Sequence, residues 1–170
     1  GKYALAFEPD EAPNTLAGQA AAANAQWFSA ENDKWKVNVS SPETAKVSSF
    51  WQGVLDSKTA LVANRWDDSF GKALVDQQLI GTTGAAWEGA LLADTMKDSP
   101  NAGSWAVAQL PAFGDKAMSG PDGGSGVAVL KSCSNPEGAM AFNDWFNTQV
   151  DDLATQGLVL TAKGPVKTPQ

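Results

Sequence analysis

Trp87 and Glu88 follow directly on the short apolar run Gly84-Ala-Ala. An indole offers a flat apolar face suited to the C–H surface of a pyranose, and a neighbouring carboxylate can accept hydrogen bonds from hydroxyl groups. The run 84–87 reads as a strand, so the pair is expected at its carboxyl end, where open α/β sheets hold ligands. Glu8 ends another expected strand. Two readings stay open for it, a hydroxyl acceptor and a structural turn residue. Trp66 lies between Arg65 and Asp67 in a polar connector, with no apolar stripe to join. Residues 120–126 (Gly-Pro-Asp-Gly-Gly-Ser-Gly) include Gly123, Gly124 and Ser125, whose bare N–H groups and hydroxyl could approach a neutral polar ligand. A plain hairpin connection explains the run equally well. It is not a phosphate loop, because these glycines precede a strand and no Lys-Ser/Thr follows.

Other carboxylates carry less. Glycoside hydrolysis needs two carboxyl groups facing each other across the scissile bond, roughly 5–9.5 Å apart. Asp151 and Asp152 are neighbours on an expected helix and do not face each other, so they read as a solvated face. Asp67 and Asp68 read as a helix cap. The 170 residues contain no His and a single Cys, Cys133, which excludes Ser-His-Asp and Cys-His catalysis, the common zinc sites and an intrachain disulfide. No metal or cofactor is expected. With 12 Lys+Arg against 19 Asp+Glu and a net charge of −7, the chain has no cationic surface for nucleic acid or anionic headgroups. No apolar run approaches the ~18 residues needed to span a membrane. Aromatic usage is the positive signal: seven Trp and seven Phe against one Tyr.

The elements that must position these residues alternate. Residues 3–8 read as a strand stopped by Pro9. Leu16, Ala20, Ala23 and Trp27 then form a helical face, and 35–39 alternates as a half-buried strand. Ser40 or Ser41 caps a helix with Pro42 in its first turn, Glu43 placed for a capping box, and a stripe of Val47, Phe50/Trp51 and Val54/Leu55. A connector over 57–66 leads to a helix carrying Phe70, Ala73/Leu74 and Gln77. After the strand 84–87 comes a helix with Leu91/Leu92 and Thr95/Met96. Residues 105–110 and 127–131 read as strands flanking the loop 111–126. Asn135 caps a last helix with Ala139, Phe142, Trp145/Phe146 and Val150/Leu153, closed by Gly157. Trp27, Trp51 and Trp145 read as core, Trp35 and Trp105 as half-buried. The class is α/β, a mainly parallel sheet flanked by helices, with an antiparallel member expected where the two late strands follow each other.

Taken together, Phe50-Trp51 with Gly53, Gly84-Ala-Ala-Trp-Glu88, Trp105-Ala-Val-Ala-Gln-Leu-Pro111, Gly123-Gly-Ser-Gly-Val-Ala-Val-Leu-Lys131 and Asn135-Pro-Glu-Gly-Ala-Met-Ala-Phe-Asn-Asp-Trp145 resemble the extracellular solute-binding protein family 1, in that family's order. These are the sugar-binding components of ABC importers. The resemblance implies one lobe of a type II periplasmic-binding-protein-like fold: residues 1–157 as the C-terminal lobe of a two-lobed receptor and 158–170 as an irregular hinge-side tail. It implies a sugar or short oligosaccharide held between lobes without chemistry, with the N-terminal lobe and the permease subunits as partners. The parent is then expected outside the cell membrane, extracellular or periplasmic, with a lipid anchor. The family's sugar-stacking Trp maps onto Trp87 and its cleft-lining Gly-Gly loop onto Gly123, Gly124 and Ser125. Glu8, Glu88 and Trp66 are assigned more loosely. A glycosidase and a stand-alone carbohydrate-binding module are the competing classes.

Overall fold

The structure is a computed structural model that describes residues 2–114, 120 and 122–158. The tail expected over 158–170 therefore lies outside the described residues, except for Leu158. Three short parallel strands form the centre: β1 (Tyr3–Phe7) lies between β4 (Ala60–Val62) and β5 (Leu79–Gly81). Leu5 pairs with Ala60 on one side and Gly81 on the other, so all three strands end at the same edge.

Helices cover both faces of this sheet. Alternation along β1 sends Ala6 to one face, where it joins Phe70, Leu74, Leu79 and Met96 in the buried core. Phe70 and Leu74 come from α3 (Asp68–Val75), and Met96 from α4 (Glu88–Met96). Phe7 points to the other face, its ring centroid 5.4 Å from that of Trp51. Trp51 belongs to α2 (Pro42–Asp56), which packs beside α1 (Ala12–Ala22). The Trp51 indole N–H donates to Gln19 Oε1 of α1 at 2.7 Å, so two buried polar groups satisfy each other between the helices. Helix α2 starts as its sequence requires: the Ser41 hydroxyl accepts from the Thr44 N–H at 3.2 Å, with Pro42 in the first turn.

Several elements differ from the expectations. The first helix stops at Ala22, and Trp27 lies beyond it, half-buried, donating its indole N–H to Thr44 Oγ1 at 2.7 Å. The chain instead forms an antiparallel hairpin of β2 (Phe28–Glu31) and β3 (Lys34–Val37), turned by Asn32 and Asp33 at φ 52° and 58°. Positive φ at both loop residues matches the right-handed twist of two-residue hairpins, and Asn and Asp tolerate it. Nothing covers this hairpin's outer face among the described residues, so Trp35 is 79% exposed rather than half-buried. The antiparallel pair is therefore here and not between the two late segments. Residues 84–87 form a turn, and the strand that they were expected to provide is β5, three residues earlier.

Residues 105–110 and 127–131 form no strand, because neither finds a ladder partner among the described residues. Trp105 nevertheless packs half-buried on the α3–α4 core. The expected last helix is two: α5 (Pro136–Thr148) and α6 (Val150–Thr155). Asn135 caps α5 as expected, its side chain accepting from the Gly138 N–H at 3.0 Å. The apolar stripe of α5 is unburied, and Phe142 and Trp145 are 61% and 56% exposed. Trp145 is thus a surface residue here, not core. Leu153 and Ala154 of α6 are buried, while Asp151 and Asp152 are exposed as expected.

Candidate functional site

The carboxyl edge of the sheet carries a buried cluster of charge. Glu8 follows β1, Arg65 lies in the loop after β4, Thr82 and Thr83 follow β5, and Glu88 opens α4. Parallel pairing in register brings these chain-distant residues to one edge. Arg65 Nε donates to Glu8 Oε2 at 2.7 Å, and Nη2 reaches the same oxygen and, at 2.7 Å, the Thr83 carbonyl. Arg65 Nη1 pairs with Glu88 Oε2. The Thr82 hydroxyl donates to Glu8 Oε1 at 2.9 Å, and the Ala85 N–H to Glu88 Oε1 at 2.9 Å. Phe70 lies under the guanidinium, 5.1 Å from ring centroid to Cζ. All three charged residues are buried, with Glu8, Arg65 and Glu88 at 7%, 3% and 5% exposure.

Two carboxylates on one guanidinium leave surplus negative charge, and the nearby Asp10, which accepts from the Arg65 N–H at 3.2 Å, adds to it. Burial pushes the Glu8 carboxyl above its ordinary range, while Arg65 and the Thr82 hydroxyl pull it back. Asp122 is also pushed up, by burial and then by Glu11, with Arg65 opposing. Asp122 belongs to the Gly-rich loop 120–126. That loop approaches α1 closely: a Cβ on Gly120 would collide with the Gly18 carbonyl.

The two tryptophans singled out by sequence are neighbours of this cluster in chain and in space. Trp66 follows Arg65, Trp87 precedes Glu88, and their rings stack with centroids 6.1 Å apart and planes 19° from parallel. Trp66 is 57% exposed and Trp87 is half-buried. A pyranose between them would need about 3.5–4.0 Å of contact distance on each side, more than a 6.1 Å separation permits. The surface offered to solvent is therefore the outer side of the pair. Two glycines make the Trp87 turn possible. A Cβ on Gly84 would lie 2.7 Å from Glu88 Oε2, and one on Gly157, at φ 75°, would lie 2.5 Å from the Ala86 carbonyl oxygen. The end of α6 is thus packed directly behind Trp87.

Of the candidates from sequence, the structure brings Glu8, Trp66, Trp87 and Glu88 together. Both carboxylates are already engaged by Arg65. Gly123, Gly124 and Ser125 are exposed, with φ of 80° and 135° at the two glycines, and a Cβ built on either glycine would meet nothing within 4 Å. Sequence reasoning missed Arg65, the only arginine of the chain, together with Thr82. A lone Arg directly before a Trp in a polar connector was the one local hint, and it named no partner. Among the described residues no cluster of His, Cys, Asp and Glu could hold a metal ion, and no helix is long and apolar enough to cross a membrane.

No protein-family model and no curated protein matches the chain. Among solved structures, the galacto-N-biose-/lacto-N-biose I-binding protein of the ABC transporter from Bifidobacterium longum, in complex with lacto-N-biose, is similar at 44% sequence identity with a TM-score of 0.84. The match covers 96% of this chain and 41% of that protein, so the chain spans less than half of the relative's length. The mixed α/β fold of this chain is that of a periplasmic-binding-protein-like structure.

Proposed function

From a chain related over nearly its whole length to part of an ABC-transporter sugar-binding protein, we infer one lobe of a receptor that binds a sugar and passes it to a permease. The observation that carries this reading is the 44% identity to a protein holding lacto-N-biose. We assign residues 1–157 to the C-terminal lobe, with the ligand held against a second lobe outside this sequence. The unpaired segments 105–110 and 127–131 and the bare apolar stripe of α5 support that assignment, since each has the composition of a surface meant to be covered. Trp66 and Trp87 supply the apolar platform for a sugar face, and the loop at Gly123, Gly124 and Ser125 supplies backbone donors once the second lobe closes over it. We assign the parent to the outside of the cell membrane, with a lipid anchor. The role is binding without catalysis: Glu8 and Glu88 are tied to Arg65, and neither is free to protonate a glycosidic oxygen. The fold also departs from the β-sandwich expected of a stand-alone carbohydrate-binding module.

Calorimetry on the full-length protein that carries this chain tests the reading, with lacto-N-biose and other small saccharides as titrants. Binding that disappears in Trp87→Ala while the thermal transition persists supports it. Unchanged affinity in that variant would return Trp87 to a packing role.

A further inference from the structure

We propose that Glu8, Arg65 and Glu88 are positioning residues that hold Trp66 and Trp87 in register as a stacked pair, rather than contacts to a ligand. The proposal rests on the sugar-receptor reading only for the purpose of the pair, not for its assembly. Each tryptophan is one residue away from a member of the ion triad, on two different loops. Arg65 ties both loops together: Nη1 pairs with Glu88 beside Trp87, while Nε and Nη2 bind Glu8 at the end of β1 and Nη2 also holds the Thr83 carbonyl of the loop leading to Trp87. The Arg65 N–H to Asp10 fixes the backbone immediately before Trp66. A planar guanidinium with five donors can serve two carboxylates and a carbonyl at once, and an ammonium cannot reproduce that fork. Buried and paired with Arg65, neither carboxylate is open to a sugar hydroxyl arriving from solvent. An aromatic platform gains from such bracing, because a pair already aligned loses less freedom on binding.

The test is the exciton-coupled circular dichroism of the two indoles in the 170-residue chain. Trp66→Phe and Trp87→Phe should each remove the same couplet, which identifies it. In Arg65→Lys and Glu88→Gln, shown to be folded by a cooperative thermal transition, the couplet should fall to less than about half. Arg65→Met should abolish it if that variant folds, and the two milder variants decide the question if it does not. A couplet of full strength in folded Arg65→Lys and Glu88→Gln overturns the positioning role, and a couplet absent from the unmodified chain overturns the pair itself. Lacto-N-biose titrated into the full-length protein reads the sugar-receptor hypothesis separately. No binding by the unmodified protein overturns that hypothesis while the couplet still decides the positioning role. If the unmodified protein binds, Glu88→Gln should weaken binding at least about tenfold. Full affinity in a variant that has lost the couplet overturns the link between bracing and binding.

Discussion

Replacing Arg65 with Met removes the only positive charge in a buried cluster and leaves the Glu8 and Glu88 carboxylates buried without compensation. Removing one partner of a buried ion pair costs about 3–5 kcal/mol, more than the pair itself contributes, because the remaining charge stays desolvated. The Thr83 carbonyl also loses its 2.7 Å donor. At about 2–4 °C per kcal/mol for a chain of this size, the melting temperature should fall by roughly 6–20 °C. Two controls separate charge from shape. Adding Glu8→Gln and Glu88→Gln to Arg65→Met removes the uncompensated carboxylates and should recover about 1–2 kcal/mol. Lowering the pH should also shrink the loss, since either carboxylate can take up a proton instead of remaining charged. Urea unfolding followed by tryptophan fluorescence measures all of these. A loss under about 1 kcal/mol in Arg65→Met at neutral pH would refute the buried triad as a structural tie.

Other consequences are local. The Glu8 carboxyl is raised in the folded state, so the folded chain holds a proton that the unfolded chain has released. Its contribution is fully present below the ordinary glutamate range and is lost as pH rises through the raised value. Relative to Glu8→Gln, the unmodified chain should therefore lose stability as pH rises through that window, and urea titrations showing a relative gain would contradict the assignment. Gly157→Ala places a methyl group against the Ala86 carbonyl at a backbone angle that disfavours side chains, and should shift the Trp87 indole resonance as well as lower stability by about 1–3 kcal/mol. Leu74→Ala, at a fully buried position in the α3–α4 core, should cost about 2–5 kcal/mol by thermal or urea unfolding. In the 170-residue chain alone, a receptor affinity of about 1 μM, near −8 kcal/mol, halves to about −4 kcal/mol when one lobe supplies half the contacts, which is roughly millimolar. Micromolar sugar binding by the chain alone, read by calorimetry, would show that no second lobe is needed.

What could be read from sequence divides along a physical line. Local signals carried through: the Ser41 and Asn135 caps, the Val47–Trp51 stripe of α2, and Glu8 at the end of β1 are all determined within a few residues of chain. The hairpin turn at Asn32–Asp33 was also local, but a helical spacing extended through Ala23 to Trp27 concealed it. Strand β4 has only three residues and sat unseen in a polar connector. The charge cluster could not be read at all from spacing, because Arg65 and Glu8 are 57 residues apart and meet only through the parallel register of β1 and β4. Glu88 beside Trp87 invited a hydroxyl-acceptor reading for the same reason: its partner is distant in sequence. The exposed Phe142 and Trp145 mark the opposite limit, since an amphipathic stripe says that a face needs covering and not which part of a protein covers it.

Under the proposed function, this chain helps to hold a sugar unchanged. The direct measurement is calorimetry of the full-length protein carrying it against lacto-N-biose and related saccharides, with the sugar recovered and analysed by NMR. Binding near micromolar, loss of that binding in Trp87→Ala, and an intact saccharide are the expected outcomes. Absence of binding to every saccharide tested, or recovery of cleaved sugar, would contradict it.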